Sequence, residues 1–298
     1  MNSDLQAPAR AADWTFSRAL LLFLIAGFCL SSLDATAKYL VRDHALFLVV
    51  WARYAGQMLV VTPFAWRNGG PGFWRTRRLG LQLLRSTLLL GATVSFFGAL
   101  RYLPLAEGSA ITFLAPIFVV MLSGPLLGER PNLARWVATA TGFCGILILV
   151  RPSSAVFHPA ALLLVLAALC NALYFLLTRK LVDESVHTTL FYSALVGTVG
   201  LSLVLPWELH ATTPTPGDGL FLVLGLFAGL GHWLIVSAFQ HAQPSLLTPF
   251  SYLQMIWATL YGHLIFDQLP DRWSGAGMTI IVASGLLLAL QEGRRGRR

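Results

Sequence analysis

The sequence predicts an all-α integral membrane protein in which ten transmembrane helices form two inverted five-helix repeats around a central cavity. Composition is the first reason: 56% of the residues are hydrophobic, 11% are charged, and the mean hydropathy is +0.68. Soluble domains carry about 25% charged residues, so a water-soluble domain is excluded. The other two reasons are a series of apolar segments of membrane-spanning length and a weak internal repeat between the two halves of the chain.

Ten segments have the length that a bilayer core about 30 Å thick requires, which is about 20 apolar residues per helix. The expected spans are 16–39, 45–66, 80–101, 104–127, 133–150, 159–179, 188–207, 219–240, 244–266 and 273–290. Too little chain remains for a soluble domain, and none of it matches a P-loop. Active transport would therefore draw on a gradient rather than on ATP bound to this chain.

The first span also has features of a signal peptide. Arg10 and Arg18 precede its apolar run, and Ala35-Thr36-Ala37 resembles a cleavage site. Against this, the run Ala19-Leu20-Leu21-Leu22 recurs at residues 161–164. Cleavage would leave nine helices and an unmatched repeat, so we expect a retained helix.

The repeat predicts a first unit at residues 16–151 and a second at 158–291. Matched positions are 142 residues apart early in the units and 139 residues apart late in them. Among the matched pairs are Thr36 with Thr178, Lys38 with Lys180, and Pro131 with Pro270. Each unit holds an odd number of spans, so the second unit crosses the membrane in the opposite sense. Inverted repeats place a substrate site near the bilayer midplane.

The basic residues predict the orientation. With both termini cytoplasmic, fifteen of the 21 basic residues, Arg85 among them, fall on the inner side and five on the outer side, with Arg53 inside a span. This is the positive-inside bias of a multi-pass protein of the cytoplasmic (inner) membrane. The positive charge therefore favours membrane lipids as partners, the tail Arg294–Arg298 contacting anionic headgroups, and not nucleic acid.

The fourth and ninth spans carry the first candidate substrate-binding residues. Ser109, Thr112, Phe113 and Pro116 follow the i, i+3, i+4, i+7 spacing and share one helix face. In the ninth span the equivalent face carries Thr248, Ser251, Tyr252 and Met255. Two related helices with hydroxyls, aromatic rings and prolines inside the membrane predict a site between the two halves.

Pro116 and Pro249 interrupt these two helices. Proline cannot donate to the helix ladder, so each one frees the backbone carbonyl four residues earlier. A freed carbonyl at membrane depth is tolerated where it faces protein or a water-lined cavity. These prolines are interpreted either as gating elements or as plain structural kinks.

Further candidates lie in the sixth, eighth and ninth spans. They are Asn171, Tyr174, His232, Trp233, Tyr252 and Gln254. Amide, hydroxyl and imidazole groups can bind the charged ends of an amino acid, while aromatic rings cover its side chain. His232 can equally be a neutral core histidine bonded to a carbonyl.

Asp34, Arg53 and Glu107 cluster toward the predicted outer side. Asp34 and Arg53 can form an ion pair between the first two helices, because an unpaired charge there costs at least about 2.5–3.5 kcal/mol. Proton coupling through Asp34 or Glu107 is the alternative.

The sequence favours no metal, cofactor or catalytic site. Cys29, Cys144 and Cys170 all fall inside spans and suit apolar packing, and no second ligand stands four residues from His232. A membrane-embedded acyltransferase that uses His232 would need an acid or nucleophile nearby. A passive channel is a further alternative, which non-saturating flux would reveal.

Two GxxxG spacings predict close helix packing. They are Gly124-x-x-x-Gly128 and Gly225-x-x-x-Gly229, and we expect packing within the chain rather than dimerisation. The expected state is a monomer or a weak homodimer.

The chain resembles the EamA-type exporters of the drug/metabolite transporter superfamily. The most specific stretch is Ala106–Gly145, with Ala115-Pro116, then Leu127-Gly128-Glu129-Arg130-Pro131, then Gly142 and Gly145; Arg53 early in the second span also matches. In the second half, Met255 stands where the family has proline. The resemblance implies alternating access around a central cavity, with export of amino acids or similar metabolites, as in the YddG-type branch. Multidrug, organic-cation or nucleoside export is the alternative that the same family implies.

Overall fold

A computed structural model describes residues 7–128, 131–150, 158–208, 218–268 and 271–295. The described chain is helical throughout and contains no strand. The helices are α1 (Ala7–Leu40), α2 (Leu46–Gly69), α3 (Leu79–Ala99), α4 (Leu105–Thr112), α5 (Ala115–Leu127), α6 (Leu133–Val150), α7 (Ala161–Lys180), α8 (Val186–Ser202), α9 (Leu205–Glu208), α10 (Leu220–His241), α11 (Pro244–Leu247), α12 (Gln254–Phe266) and α13 (Arg272–Arg295). Short 3-10 segments lie at Gly70–Gly72 and Thr248–Leu253.

These helices form ten rods, one for each predicted span, and we number the rods as the spans. The all-α membrane fold class is confirmed. Among the described residues, six helical segments are long and apolar enough to cross a membrane. They are Phe16–Leu40, Leu46–Gly72, Leu79–Leu100, Gly108–Leu127, Ala161–Lys180 and Leu220–His241. The fourth rod is divided into α4 and α5, and the ninth into α11, the 3-10 segment and α12. The seventh rod ends at Ser202 instead of 207, because a turn separates it from α9.

The helices alternate in direction as ten successive membrane crossings require. Contacting pairs run in opposite chain directions between α1 and α10, and between α3 and α7: Phe23 with Phe239, Phe28 with Phe227, Arg85 with Thr178, and Gly91 with Cys170. They run in the same direction between α1 and α12: Phe28 with Trp257, and Ser32 with Tyr261.

The packing pattern is that of two inverted repeats. Helix α1 packs on α10, and its counterpart α7 packs on α3, the counterpart of α10. Two contacts have similar places in the two units: Lys38 Nζ donates to the carbonyl of Leu100 over 3.2 Å in a buried contact, and Arg179 Nη1, one residue before the match of Lys38, donates to that of Phe239 over 2.6 Å in a part-buried one. The acceptors are 139 residues apart, as the late sequence matches are. The match of Pro131 with Pro270 lies partly outside the described residues.

Glycines let α2 pack closely on its neighbours. A Cβ atom on Gly225 would lie 2.5 Å from the Cα atom of Gly56, and a Cβ on Gly197 would overlap the ring of Tyr54. The second GxxxG spacing therefore serves packing within the chain. Gly128 of the first spacing serves a different purpose, because it ends α5 with φ +70° and a Cβ there would meet nothing.

Candidate substrate-binding site

A cavity of about 620 Å³ lies where the two repeats meet. Its wall is formed by both broken rods together with α1, α2, α3, α7 and α10. Nine of the predicted site residues line it: Asp34, Arg53, Ser109, Thr112, Phe113, Asn171, His232, Ser251 and Gln254. The cavity is therefore a shared feature of the two units and not a pocket within one of them.

Most of the wall is aromatic and aliphatic. The aromatic residues of the wall that the sequence analysis did not single out are Phe23, Phe28, Phe96, Phe97, Phe175, Phe250 and Trp257. In a membrane helix the lipid-facing and cavity-facing sides are both apolar, so a sequence pattern does not separate them. Apolar walls with a few polar groups are typical of sites for small organic molecules.

The fourth and ninth rods have equivalent hydrogen bonds where they are interrupted. Thr112 Oγ1 donates to the carbonyl of Ser109, and Ser251 Oγ donates to that of Thr248, each over 2.7 Å. The two bonds are 139 residues apart, and each lies where its helix is interrupted. Pro116 is buried in the first turn of α5, so it begins the second half of its rod instead of kinking a continuous helix.

Tyr252 joins the two breaks but does not line the cavity. Its ring meets that of Phe113 edge to face, with centroids 5.7 Å apart. A Cβ on Gly142 of α6 would lie 2.6 Å from the same tyrosine ring, which explains the need for glycine there. Pro249 falls in the 3-10 segment of the ninth rod. The side chains of Pro249 and Glu107 lie outside the described part of the structure, so their predicted roles stay predictions.

Arg53 and His232 form the polar centre of the cavity. Arg53 is 2% exposed, and its Nη2 donates to Nε2 of His232 over 2.6 Å. Because a guanidinium can only donate, Nε2 accepts and the histidine is neutral with its proton on Nδ1. Nδ1 lies 3.0 Å from the hydroxyl of Tyr174. Among the described residues, His232 is thus bonded to two side chains and not to a carbonyl.

Asp34 lines the same cavity as Arg53. Within the described ranges no salt bridge joins the two, although an ion pair was one sequence-based interpretation. The reason is that Arg53 turns toward His232 and stacks over Tyr54, with 4.3 Å between its guanidinium carbon and the ring centroid. The alternative of proton coupling through Asp34 is not addressed by this geometry.

A second buried arginine lies one helical turn beyond the cavity. Arg85 is fully buried and donates to Thr178 Oγ1 (2.7 Å), to the Thr189 carbonyl (3.2 Å), to Ser193 Oγ (2.6 Å) and to the Tyr174 hydroxyl (3.0 Å). The sequence analysis places Arg85 on the inner side of the membrane, and the structure buries its side chain where α3 meets α7 and α8. The sequence feature that indicates this burial is the position of Arg85 inside the third predicted span.

The remaining predicted residues lie behind or outside the cavity. Tyr174 is fully buried and bridges His232 and Arg85 without lining the cavity. Trp233 is 39% exposed, on the outer surface of α10. Among the described residues, no group of three or more His, Cys, Asp or Glu side chains is placed to hold a metal ion.

Comparisons with known proteins agree with this architecture. The EamA-like transporter family matches residues 17–151 and 158–290, so the first span belongs to the first matched domain. A solved crystal structure superposes with a TM-score of 0.77 at 21% identity, over 93% of this chain and 98% of that one, which shows the fold alone.

Curated relatives of similar length are named as transporters. The riboflavin transporter of Vibrio cholerae is 31% identical, over 93% of this chain and 95% of the relative. The S-adenosylmethionine uptake transporter of Rickettsia bellii is 30% identical over the same shares, and that of Rickettsia prowazekii is 28% identical over 93% and 94%. The chain is therefore a multi-pass membrane transporter of small molecules and not an enzyme. It belongs to the EamA-like transporter family.

Proposed function

We propose that this protein is a secondary transporter that moves amino acids or amino-acid derivatives across the membrane by alternating access through the central cavity. The observation that carries the proposal is the cavity itself, walled by both repeats. Its volume of about 620 Å³ falls within the range of about 300–1,000 Å³ that small-molecule sites occupy.

The equivalent breaks support alternating access. Each repeat contributes one interrupted rod to the cavity wall, at Thr112 and at Ser251. Interrupted helices at the repeat interface are the elements around which inverted-repeat carriers expose a fixed site to one side and then the other. The proposed repeat units are residues 16–151 and 158–291, in a monomer or a weak homodimer.

The names of the relatives also support the proposed substrate class. S-adenosylmethionine is an amino-acid derivative with a sulfonium cation and an adenine ring, and the phenylalanine-rich wall suits a ring or a cation. Riboflavin is the second candidate, because its flat ring system suits the same wall. Organic cations and nucleosides complete the panel that a transport assay needs.

The proposed direction is export, as the sequence resemblance implies, although the Rickettsia relatives are named for uptake. A carrier of this type runs both ways, and the gradients across the membrane decide net flux.

We place the protein in the cytoplasmic membrane with both termini cytoplasmic, on the strength of the basic-residue distribution. Impermeant labelling of a cysteine at each terminus tests this orientation, and labels on opposite faces contradict it.

The experiment is transport by the purified chain in proteoliposomes. The panel contains aromatic and aliphatic amino acids, S-adenosylmethionine, riboflavin, a nucleoside and an organic cation, each assayed for both entry and efflux. We expect saturable, counterflow-stimulated flux of an amino acid or of S-adenosylmethionine. Saturable flux of riboflavin alone overturns the substrate class, and non-saturating flux identifies a channel.

Asp34 is the residue through which a proton gradient can be coupled. If the carboxyl group carries the proton, Asp34→Asn should remove stimulation of flux by an imposed pH gradient, while counterflow at equal pH and saturating solute continues. The matched control is Asp183→Asn, because Asp183 is exposed near the turn after α7. Full pH-gradient stimulation in the Asp34 variant rejects this coupling role.

A further inference from the structure

The cavity contains one basic and one acidic side chain that no salt bridge joins in the described structure. We propose that Arg53 and Asp34 bind the two ends of the substrate's α-amino-acid head: Arg53 binds the carboxylate and Asp34 binds the ammonium group. This inference rests on the proposed function and specifies which part of the solute the cavity recognises.

Arg53 has the unpaired donors that an anion requires. Its Nη2 is bonded to His232, but its Nε and Nη1 are buried and meet no acceptor in the described residues. Buried donors without acceptors are unfavourable, because each one loses its hydrogen bonds to water without gaining a protein partner. A carboxylate is the group whose paired oxygens match the donors of a guanidinium.

His232 acts as a positioning residue for Arg53. Its neutral ring accepts from Arg53 through Nε2 and is held at Nδ1 by Tyr174, which Arg85 binds in turn. The guanidinium is also stacked on Tyr54. These contacts fix one nitrogen of Arg53 and leave Nε and Nη1 without an acceptor among the described residues, on a side chain that lines the cavity.

Asp34 supplies the opposite charge at a distance. It makes no salt bridge with Arg53 in the described structure, and both side chains line the same cavity. A solute that carries both charges satisfies both side chains, whereas an acid, an amine or a neutral ring leaves at least one unpaired. The site therefore selects zwitterions, and the aromatic wall receives the rest of the molecule.

The test uses L-phenylalanine and three analogues that keep its ring: the methyl ester, which lacks the carboxylate; phenethylamine, which also lacks it; and 3-phenylpropionate, which lacks the ammonium group. Binding to the purified chain is measured by calorimetry and thermal shift. S-adenosylmethionine is compared in the same way with 5′-methylthioadenosine, which lacks the amino-acid head. We expect each analogue to bind about 100-fold more weakly than its parent, because a site built to pair polar groups rejects ligands that lack them.

The variants assign the two ends of the head. Arg53→Gln should bind phenylalanine and its ester almost equally, and Asp34→Asn should do the same for phenylalanine and 3-phenylpropionate. His232→Gln, which keeps an acceptor, should retain more discrimination against the ester than His232→Leu. Arg67→Gln is the control on α2, because Arg67 is exposed at the far end of that helix.

The outcomes separate this inference from the proposed function. Equal binding of the parents and analogues to the unaltered protein overturns the head-group site, even where saturable flux persists. No binding of either phenylalanine or S-adenosylmethionine overturns it as well. Discrimination among ligands without flux supports the site and contradicts the transport proposal. If the Arg53 variant fails to fold, the analogue series on the unaltered protein still decides the question.

Discussion

Gly225→Ala should lower the melting temperature of the purified protein by roughly 10 °C. The added Cβ would lie 2.5 Å from Gly56 Cα and 2.8 Å from its carbonyl carbon, and both are backbone atoms of α2. Backbone cannot rotate away as a flexible side chain can, so α2 and α10 must separate. Overpacking of this kind costs about 1–3 kcal/mol or more. Gly56→Ala should have the same effect, because its Cβ would meet Gly225 Cα at 2.7 Å.

Gly275→Ala is the matched control for these variants. Gly275 lies inside α13, and a Cβ there would meet nothing within 4 Å. Since alanine favours helix over glycine, this variant should be as stable as the unaltered protein or slightly more so. Unchanged stability in the Gly225 variant would show that α2 and α10 are not packed as described.

Arg85→Met should reduce the rate of transport by a factor of about ten or more, which corresponds to about 1.4 kcal/mol. The stability of the folded protein should change little. The buried charge costs about 2.5–3.5 kcal/mol, and four interhelical hydrogen bonds at about 0.6 kcal/mol each offset most of that cost. The cavity wall begins at Leu89 on α3 and ends at Phe175 on α7. Arg85 and Thr178 join those two helices one turn further on, and we propose that their bond closes that end of the cavity.

The readouts for the Arg85 variant are counterflow, thermal stability and substrate binding in the same preparation. Arg67→Met controls for loss of a positive charge, because Arg67 is exposed. We expect binding to survive in the Arg85 variant and the transport cycle to fail, since the closing contact is lost and the cavity wall is intact. Normal counterflow in that variant would contradict the closing role.

The repeat was the most informative sequence signal. The offset of 139 residues that matched Pro131 with Pro270 also relates Thr112 to Ser251, whose hydroxyl bonds are equivalent. The helical spacing placed Ser109, Thr112 and Phe113 on one face, and all three line the cavity. These residues were predictable because hydroxyls and prolines are costly in hydrocarbon and therefore conspicuous there.

The other residues of the cavity wall could not be predicted, because the lipid-facing and cavity-facing sides of a membrane helix are both apolar. Trp233 and Trp257 look alike in sequence, yet Trp257 lines the cavity and Trp233 lies on the outer surface of α10. Counting basic residues near span ends predicts the side of the membrane but not the helix face, so it gave no indication that Arg85 is buried. A helical projection of α3 would have placed it on the face that meets α7 and α8.

The central claim is that the solute occupies the cavity between the two repeats. It is tested most directly by single cysteines at Thr112 and Asn171, one from each repeat, in a protein whose Cys29, Cys144 and Cys170 are replaced by alanine. Their rates of reaction with an impermeant thiol reagent are measured in proteoliposomes with and without saturating transported solute. The proposed mechanism predicts that the solute protects both cysteines and that modification of either one blocks flux. Reaction rates that the solute leaves unchanged at both positions, with flux intact after modification, would contradict it.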